Sequence, residues 1–305
     1  MESPSIVDVL NTQFGIPGKL LFELSVGGFP IIQVETETAT AVISVYAGHI
    51  LSYRPKGEPD VLWLSEQAVY EPGKAIRGGI PIIWPWFGSH PTDAKKYVHG
   101  FARRMMWGVQ STGEDEDGRI LITLELTETE ATKALWSHDF ALTLSIVVGL
   151  ALEVTLTVAN TGDIDFTYTA AMHSYFTVSD IEALSIRGLA GTAYLDNLDN
   201  MKQKEQVGPI RFTGETDRIY VDTTAVCEVV DPGLNRIIWI DKQGSHSTVV
   251  WNPWVEKARW MADFADNAYR KMVCVETANA AHDAVTLEPG EMRELTAVIG
   301  VKPIE

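Results

Sequence analysis

The chain reads as an all-β, mainly antiparallel protein folded as a large β-sandwich. Three observations point there. Short runs rich in Val, Ile, Thr and aromatic residues recur along its length, separated by Gly, Asp and Asn. Sustained helical periodicity is absent over most of the 305 residues. No glycine-rich dinucleotide fingerprint follows a strand-like run, and no fixed-period repeat is evident, so neither a Rossmann fold nor a repeat array is expected.

The elements follow in order. "MESPSIVDVLNTQF" has no basic start and no continuous apolar segment, so no signal peptide is expected, and a short helix is read near Ile6 to Thr12. "IIQVETETATAVISVYAGHILSYRP" alternates apolar and polar residues and then turns. "AIRGGIPIIWPWFGSHP", Ala75 to Pro91, is oily but broken by Gly78, Gly79, Pro81 and Pro85. Its prolines rule out a regular inner strand, which makes it a rigid rim headed by Arg77. "GRILITLELTETEAT" reads as a strand after the hairpin loop "GEDEDG", Gly113 to Gly118. "LTLSIVVGLALEVTLTV" is the nearest approach to a membrane span, but its alternation, Gly149 and Glu153 make it a hairpin. Further strands are read at "DFTYTAAMHSYFTV", "AVCEVVD", "RIIWID", "STVVWN", "RKMVCVET", "DAVTLEPGE" and "RELTAVIGV". A second short helix is read near Asp263 to Lys271. Length alone suggests about two domains, but no break in composition divides the chain, so residues 1–305 are read as one domain.

Composition narrows the function. With 24 Lys+Arg against 41 Asp+Glu, the formal net charge is -17. Such a surface repels phosphate backbones and argues against nucleic acid as a partner. It leaves room for a small anion, because local arginines outweigh a distant field screened over about 8–10 Å. Cys227 and Cys274 lie in apolar strand-like runs and read as buried free thiols, too few for a disulfide framework. A protein of the cytoplasm, with neither a membrane nor a nucleic-acid partner, is the expectation.

Seven histidines contain no His-x-His or His-x-x-x-His pair, so a metal site built from local pairs is not expected; ligands from distant strands stay open. No Gly-x-Ser-x-Gly elbow is present. Three segments stand out. "YVHGFARR" sets His99 beside Gly100, with Arg103 four residues on. "TAAMHSYFTV" sets His173 at the end of an apolar strand, where a histidine is as readily a core residue as a catalytic one. "KMVCVETAN" ends an apolar run on Glu276. Isolated burial of a carboxylate is costly. Either the strand meets solvent there, or Glu276 points into a polar cleft.

Taken together and in order, "GGIPIIWPWFG", "HGFARRMMW", "MHSYFTVSDI", "GETDRIYVD", "VVWNPWVEKARWMADF" and "MVCVETAN" resemble the glucose-6-phosphate 1-epimerases. These are the hexose-6-phosphate mutarotases of the aldose 1-epimerase (galactose mutarotase-like) superfamily. The resemblance runs from about Gly28 to Val301. It implies a galactose mutarotase-like β-sandwich acting as a monomer. It implies His173 as general acid, Glu276 as general base and His99 in the sugar pocket. Arg77 and Arg103 would take the phosphate end, and Asp217 the sugar hydroxyls. One departure is Val98, where some relatives carry a glutamine that contacts substrate. Arg103 is preferred over Arg104 because neighbours on a strand point oppositely. Of Trp84, Trp86, Trp251 and Trp254, most are expected in the wall and core.

Interconverting the anomers of a hemiacetal needs one base for the C1 hydroxyl and one acid for the ring oxygen, and calls for no cofactor or metal. The ordinary pKa values, about 4.3 for glutamate and about 6.5 for histidine, predict an ionised Glu276 and an at least partly protonated His173. Two alternatives remain at this level: an epimerase of unphosphorylated aldoses, and a non-catalytic sugar-phosphate binding protein on the same scaffold.

Overall fold

The computed structural model describes residues 4–304. Two eight-stranded sheets, a four-stranded sheet and a two-stranded ribbon account for the strands, and every strand pairing is antiparallel. The mainly antiparallel sandwich read from the sequence is therefore the fold found.

The first large sheet, called here the back sheet, is built around the hairpin of Phe140–Val148 and Leu152–Asn160. Its alternation is strict. Leu142, Leu144, Val154, Leu156 and Val158 are buried, while Thr143, Ser145, Thr155 and Thr157 between them are half-exposed. A strand with one dry and one wet face must alternate this way, since successive side chains point to opposite faces. The turn between the two strands carries Gly149, as expected of a hairpin rather than a membrane span.

The second large sheet, called here the site sheet, runs Lys202–Glu205, Ala193–Asp196, Thr216–Tyr220, Ser247–Asn252, Met272–Asn279, Ala170–Met172 and Ile82–Ile83, with Tyr175–Thr177 also paired to Met272–Asn279. Every residue of Ser247–Asn252 and Met272–Asn279 is buried, on both faces. One face joins the main core, and the other is covered by the segments around Phe87 and Ala281.

The proline-broken stretch lies at this sheet's edge. Ile82–Ile83, between Pro81 and Pro85, is its last strand. Proline removes a ladder donor, so an edge is where such a strand is tolerated. The tight approaches explain the glycines. A Cβ on Gly79 would fall on the Ile50 carbonyl oxygen, and one on Gly100 on the Trp84 carbonyl oxygen. Trp84 and Trp86 are packed into the core as stiffening, as expected of this rim.

Helices are few. Ile6–Phe14 starts on a capping box, with Ser5 and Asp8 bonding each other's backbone N–H. Two expectations shift. Between Asp263 and Lys271 only a 3₁₀ turn, Ala268–Lys271, forms; the helical turns fall instead at Trp254–Trp260. "TETEAT" leaves the strand, and Thr129 caps a short helix, Glu130–Leu135. No helix among the described residues is long and apolar enough to cross a membrane.

Candidate active site

The cavity floor follows from the two-residue period of adjacent strands. Asp217 and Ile219, Val249 and Trp251, and Glu276 alternate along three neighbouring strands. The register pairs Asp217 with Trp251, Ile219 with Val249, and Val249 with Glu276. They therefore share one face. Thr169 and His173 come from the next strand and the break after it. The walls are Phe87 to Ser89, Val98 and His99, Arg77, Arg103, Arg104, and Lys257 with Met261 from the helix Trp254–Trp260 and its end. The enclosed volume is about 740 Å³. The sequence-predicted set of Arg77, His99, Arg103, His173, Asp217 and Glu276 is thus brought to one cavity. Of the four tryptophans considered, Trp251 lines it. Another groove, about 690 Å³ beside Lys19 and Glu35, offers no histidine and one ion of each sign.

His173 is held by its backbone and its ring. Its N–H donates to the Pro81 carbonyl (3.0 Å), and its ring stacks on Tyr175 at 4.7 Å between centroids. The rim segment thus anchors the histidine as well as carrying Arg77. His173 Nδ1 lies 3.4 Å from Glu276 Oε1. Neither Nδ1 nor Glu276 Oε2 has a hydrogen-bond partner among the described residues. Glu276 is 1% exposed. This resolves the choice left open by the sequence, since the carboxyl points into a cleft rather than into bulk solvent.

Burial sets the protonation of this pair. It pushes Glu276 well above the ordinary carboxyl range, and Asp217 nearby adds to the rise. Burial also pushes His173 well below the ordinary imidazole range, helped by His99, Arg103 and Arg77. Ordinary pKa values predict a charged pair, and burial instead shifts both groups towards the neutral arrangement, with the proton on Glu276. The two arrangements contain the same single proton and differ only in which partner carries it.

His99 sits in the left-handed region with φ of 63°. Its Nδ1 accepts the Gly88 N–H at 3.1 Å, and its own N–H donates to the Gly88 carbonyl. Nε2 therefore carries the ring proton. Burial, then Arg103, Arg77 and Arg104, keep the ring neutral. Asp217 Oδ2 accepts from Asn197 at 2.8 Å and lies 3.9 Å from Lys257 Nζ.

The arginines differ from one another. Arg77 donates to Tyr175 Oη (3.0 Å) and pairs with Asp263 (3.2 Å). Arg103 is 8% exposed, gives one hydrogen bond, to the Val98 carbonyl at 2.9 Å, and leaves its Nε unpartnered among the described residues. No carboxylate pairs with Arg103 or Arg104 there. The argument from strand alternation fails at this point. Ala102–Arg104 is a 3₁₀ turn, so both arginines reach the cavity, and Arg104 lies 4.5 Å over the Tyr97 ring. Lys257 also went unread in the sequence, because "WVEKARW" gave no helical signal strong enough to assign its face. At Val98 it is the backbone carbonyl that holds Arg103.

Comparisons with known proteins bear on the family and the fold. The aldose 1-epimerase family matches residues 30–300. Proteins named "Putative glucose-6-phosphate 1-epimerase" are similar in Escherichia coli K12 (38% identity, 82% of this chain and 83% of that one) and Salmonella typhimurium (35%, 88% and 90%). The crystal structure of a "putative mutarotase" from Salmonella typhimurium superposes with a TM-score of 0.88 at 30% identity, covering 98% of this chain and 100% of that one. Fold and sequence agree, and the chain belongs to the aldose 1-epimerase family.

Proposed function

We propose that the chain is a hexose-6-phosphate 1-epimerase, acting as one β-sandwich domain, with His173 as acid, Glu276 as base and Arg103 as the principal phosphate ligand. The observation that carries the phosphate is Arg103. A guanidinium almost fully buried without a carboxylate is costly. It is odder still in a chain with 41 acidic against 24 basic side chains. A phosphate oxygen pair would satisfy its free donors bidentately. Arg104 and Arg77 would add charge from either side. Asp217 and the neutral Nε2–H of His99 suit sugar hydroxyls, which both donate and accept. All of these side chains come from one chain, which supports a monomer as the acting unit.

The pair holds one mobile proton, which is what ring opening needs. Once that proton has passed from Glu276 to His173, Glu276 takes the C1 hydroxyl proton while His173 protonates the ring oxygen. The ring opens to the aldehyde, C1–C2 rotates, and the reverse transfers close the other face. Arg103 and Arg77 are among the causes that keep His173 neutral. A phosphate dianion bound on them offsets that positive potential and raises the affinity of the imidazole for the proton. Substrate binding thereby prepares the acid.

The test is anomer exchange by NMR with glucose 6-phosphate and with glucose, each corrected for the spontaneous rate. A strong preference for the phosphorylated sugar is expected, reduced mainly through KM in Arg103→Gln. A dominant preference for free glucose overturns the phosphate assignment.

A further inference from the structure

The anomer chemistry leaves one buried nucleophilic group beside the pair unused. Cys274 and Glu276 are two residues apart on Met272–Asn279, so the strand's period puts both on one face. His173 sits opposite, in the break between two short strands that pair with this one. One ligand atom from each (the His173 ring nitrogen, Cys274 Sγ and a Glu276 oxygen) lies within 4.8 Å of the other two. All three residues are buried, and His173 Nδ1 and Glu276 Oε2 lack partners among the described residues.

We propose that His173, Cys274 and Glu276 bind a thiophilic divalent cation of the zinc and cadmium class, and that this binding inhibits the enzyme. Imidazole, thiolate and carboxylate form a donor set suited to zinc, whereas magnesium and calcium take oxygen ligands. Around a tetrahedral ion such ligands stand roughly 3.4–3.8 Å apart, so about an ångström of closure completes three positions. The fourth position opens on the cavity, because His173 and Glu276 line it. Two anionic ligands cancel the charge of the ion, so the arginine-lined cavity gains no net charge. The thiol proton and the carboxyl proton leave to solvent, and no electron changes hands. Burial, then Glu276, keep the unmetallated thiol protonated, which makes it a poor nucleophile. The binding stands by itself; the inhibition rests on the acid and base roles proposed above.

The experiment titrates the chelator-stripped full chain with Zn²⁺, Cd²⁺ and Mg²⁺. It follows anomer exchange together with the ultraviolet thiolate-to-cadmium charge-transfer band. Expected are one band per chain, loss of activity at matching occupancy, recovery with chelator and no effect of Mg²⁺. Cys274→Ser keeps metal-free activity, loses the band and raises the inhibitory concentration by roughly tenfold or more; Cys274→Ala serves if the serine variant folds poorly. Cys227→Ser, at the other buried thiol, leaves band and inhibition intact. Absence of the band in the unsubstituted chain, or a band or inhibition undiminished without Cys274, overturns the metal site. A normal band with activity undiminished upholds the site and overturns the roles given to His173 and Glu276.

Discussion

The hairpin Phe140–Asn160 and the strand Met272–Asn279 are both regular antiparallel structure, yet they use their second face differently. The hairpin gives it to water, and Thr143, Ser145, Thr155 and Thr157 fill it. The site strand buries it: of Cys274, Glu276 and Ala278, all sealed from bulk water, Glu276 lines the cavity and the other two pack. Burial is therefore a poor guide to role here. Leu144 and Leu156, sealed from water in the back sheet, simply pack, whereas Glu276, equally sealed, is left without a full set of partners. Of the buried polar atoms without partners among the described residues, those of Glu276, His173, Arg103 and Arg104 belong to residues that line one cavity, while others, such as Arg236 Nε, lie elsewhere. Native structures hold few such groups, and each calls for an explanation.

Substitution on the site strand tests the contrast most severely. Glu276→Gln keeps the shape and removes the base, and His173→Ala removes the acid. Each is expected to lower kcat by ~10²–10⁴-fold, read as NMR anomer exchange above the spontaneous rate. Stability should respond the other way for Glu276→Gln. The folded-state pKa of this carboxyl is raised, so its contribution is present at acid pH and is lost as pH rises through the raised value. The glutamine variant should gain on wild type towards alkaline pH in urea denaturation. Exchange at the wild-type rate in both variants would remove the acid/base assignment.

On the back sheet the expectation inverts. Leu144→Ala, in the middle of the hairpin's dry face, should cost about 2–5 kcal/mol of stability, with the activity per folded molecule unchanged. A large change in kcat would mean that the two sheets are coupled and that the contrast is false.

Acid sensitivity should also trace to the site side. His49 is buried behind Gly78 and Gly79; its Nε2–H donates to the Gly78 carbonyl at 2.7 Å, and Nδ1 has no partner among the described residues. Burial lowers it to about 4. The unfolded chain takes up this proton at about 6.5. Stability is therefore whole above that value and falls as pH drops towards 4, by at most about 3 kcal/mol. Urea midpoints across this window should fall less in His49→Gln; parallel curves would exclude His49 as the source.

The smallest effects compare single hydroxyls. Thr277 Oγ1 is buried and unpartnered among the described residues, so Thr277→Val should be neutral or stabilising by up to about 1 kcal/mol. Thr143→Ser, on the wet face of the hairpin, should stay within about 0.5 kcal/mol. Thermal midpoints of the two variants measured side by side distinguish them.

The same contrast explains what was legible in the sequence. The hairpin announces itself by alternation, because water on one face forces polar residues into every second position. Met272–Asn279 reads only as an apolar run with Glu276 out of place, and that anomaly was the visible trace of the cavity. Arg103 is in the cavity as read, but Arg104 was wrongly set aside because the chain leaves extended geometry there. Phe101 and Ala102 donate to the Trp84 carbonyl, and a 3₁₀ turn follows. The Arg77–Asp263 pair joins residues far apart in the chain, and no local pattern encodes it. The shift of the His173–Glu276 pair towards its neutral form was equally hidden, since it depends on burial by the whole fold.

Because the floor is made of every second residue on three adjacent strands, the residues between them serve a separate purpose. Ile219 and Val249 shape the cavity and pack in a separate cluster, while Val250 and Val275, interleaved with them, belong to the main core. The same strands thus hold two largely separate records, one of ligand shape and one of stability, which meet at Trp251. A lineage can rewrite the first by point changes while the second stays constant, so one sandwich can move between sugars without passing through an unfolded ancestor.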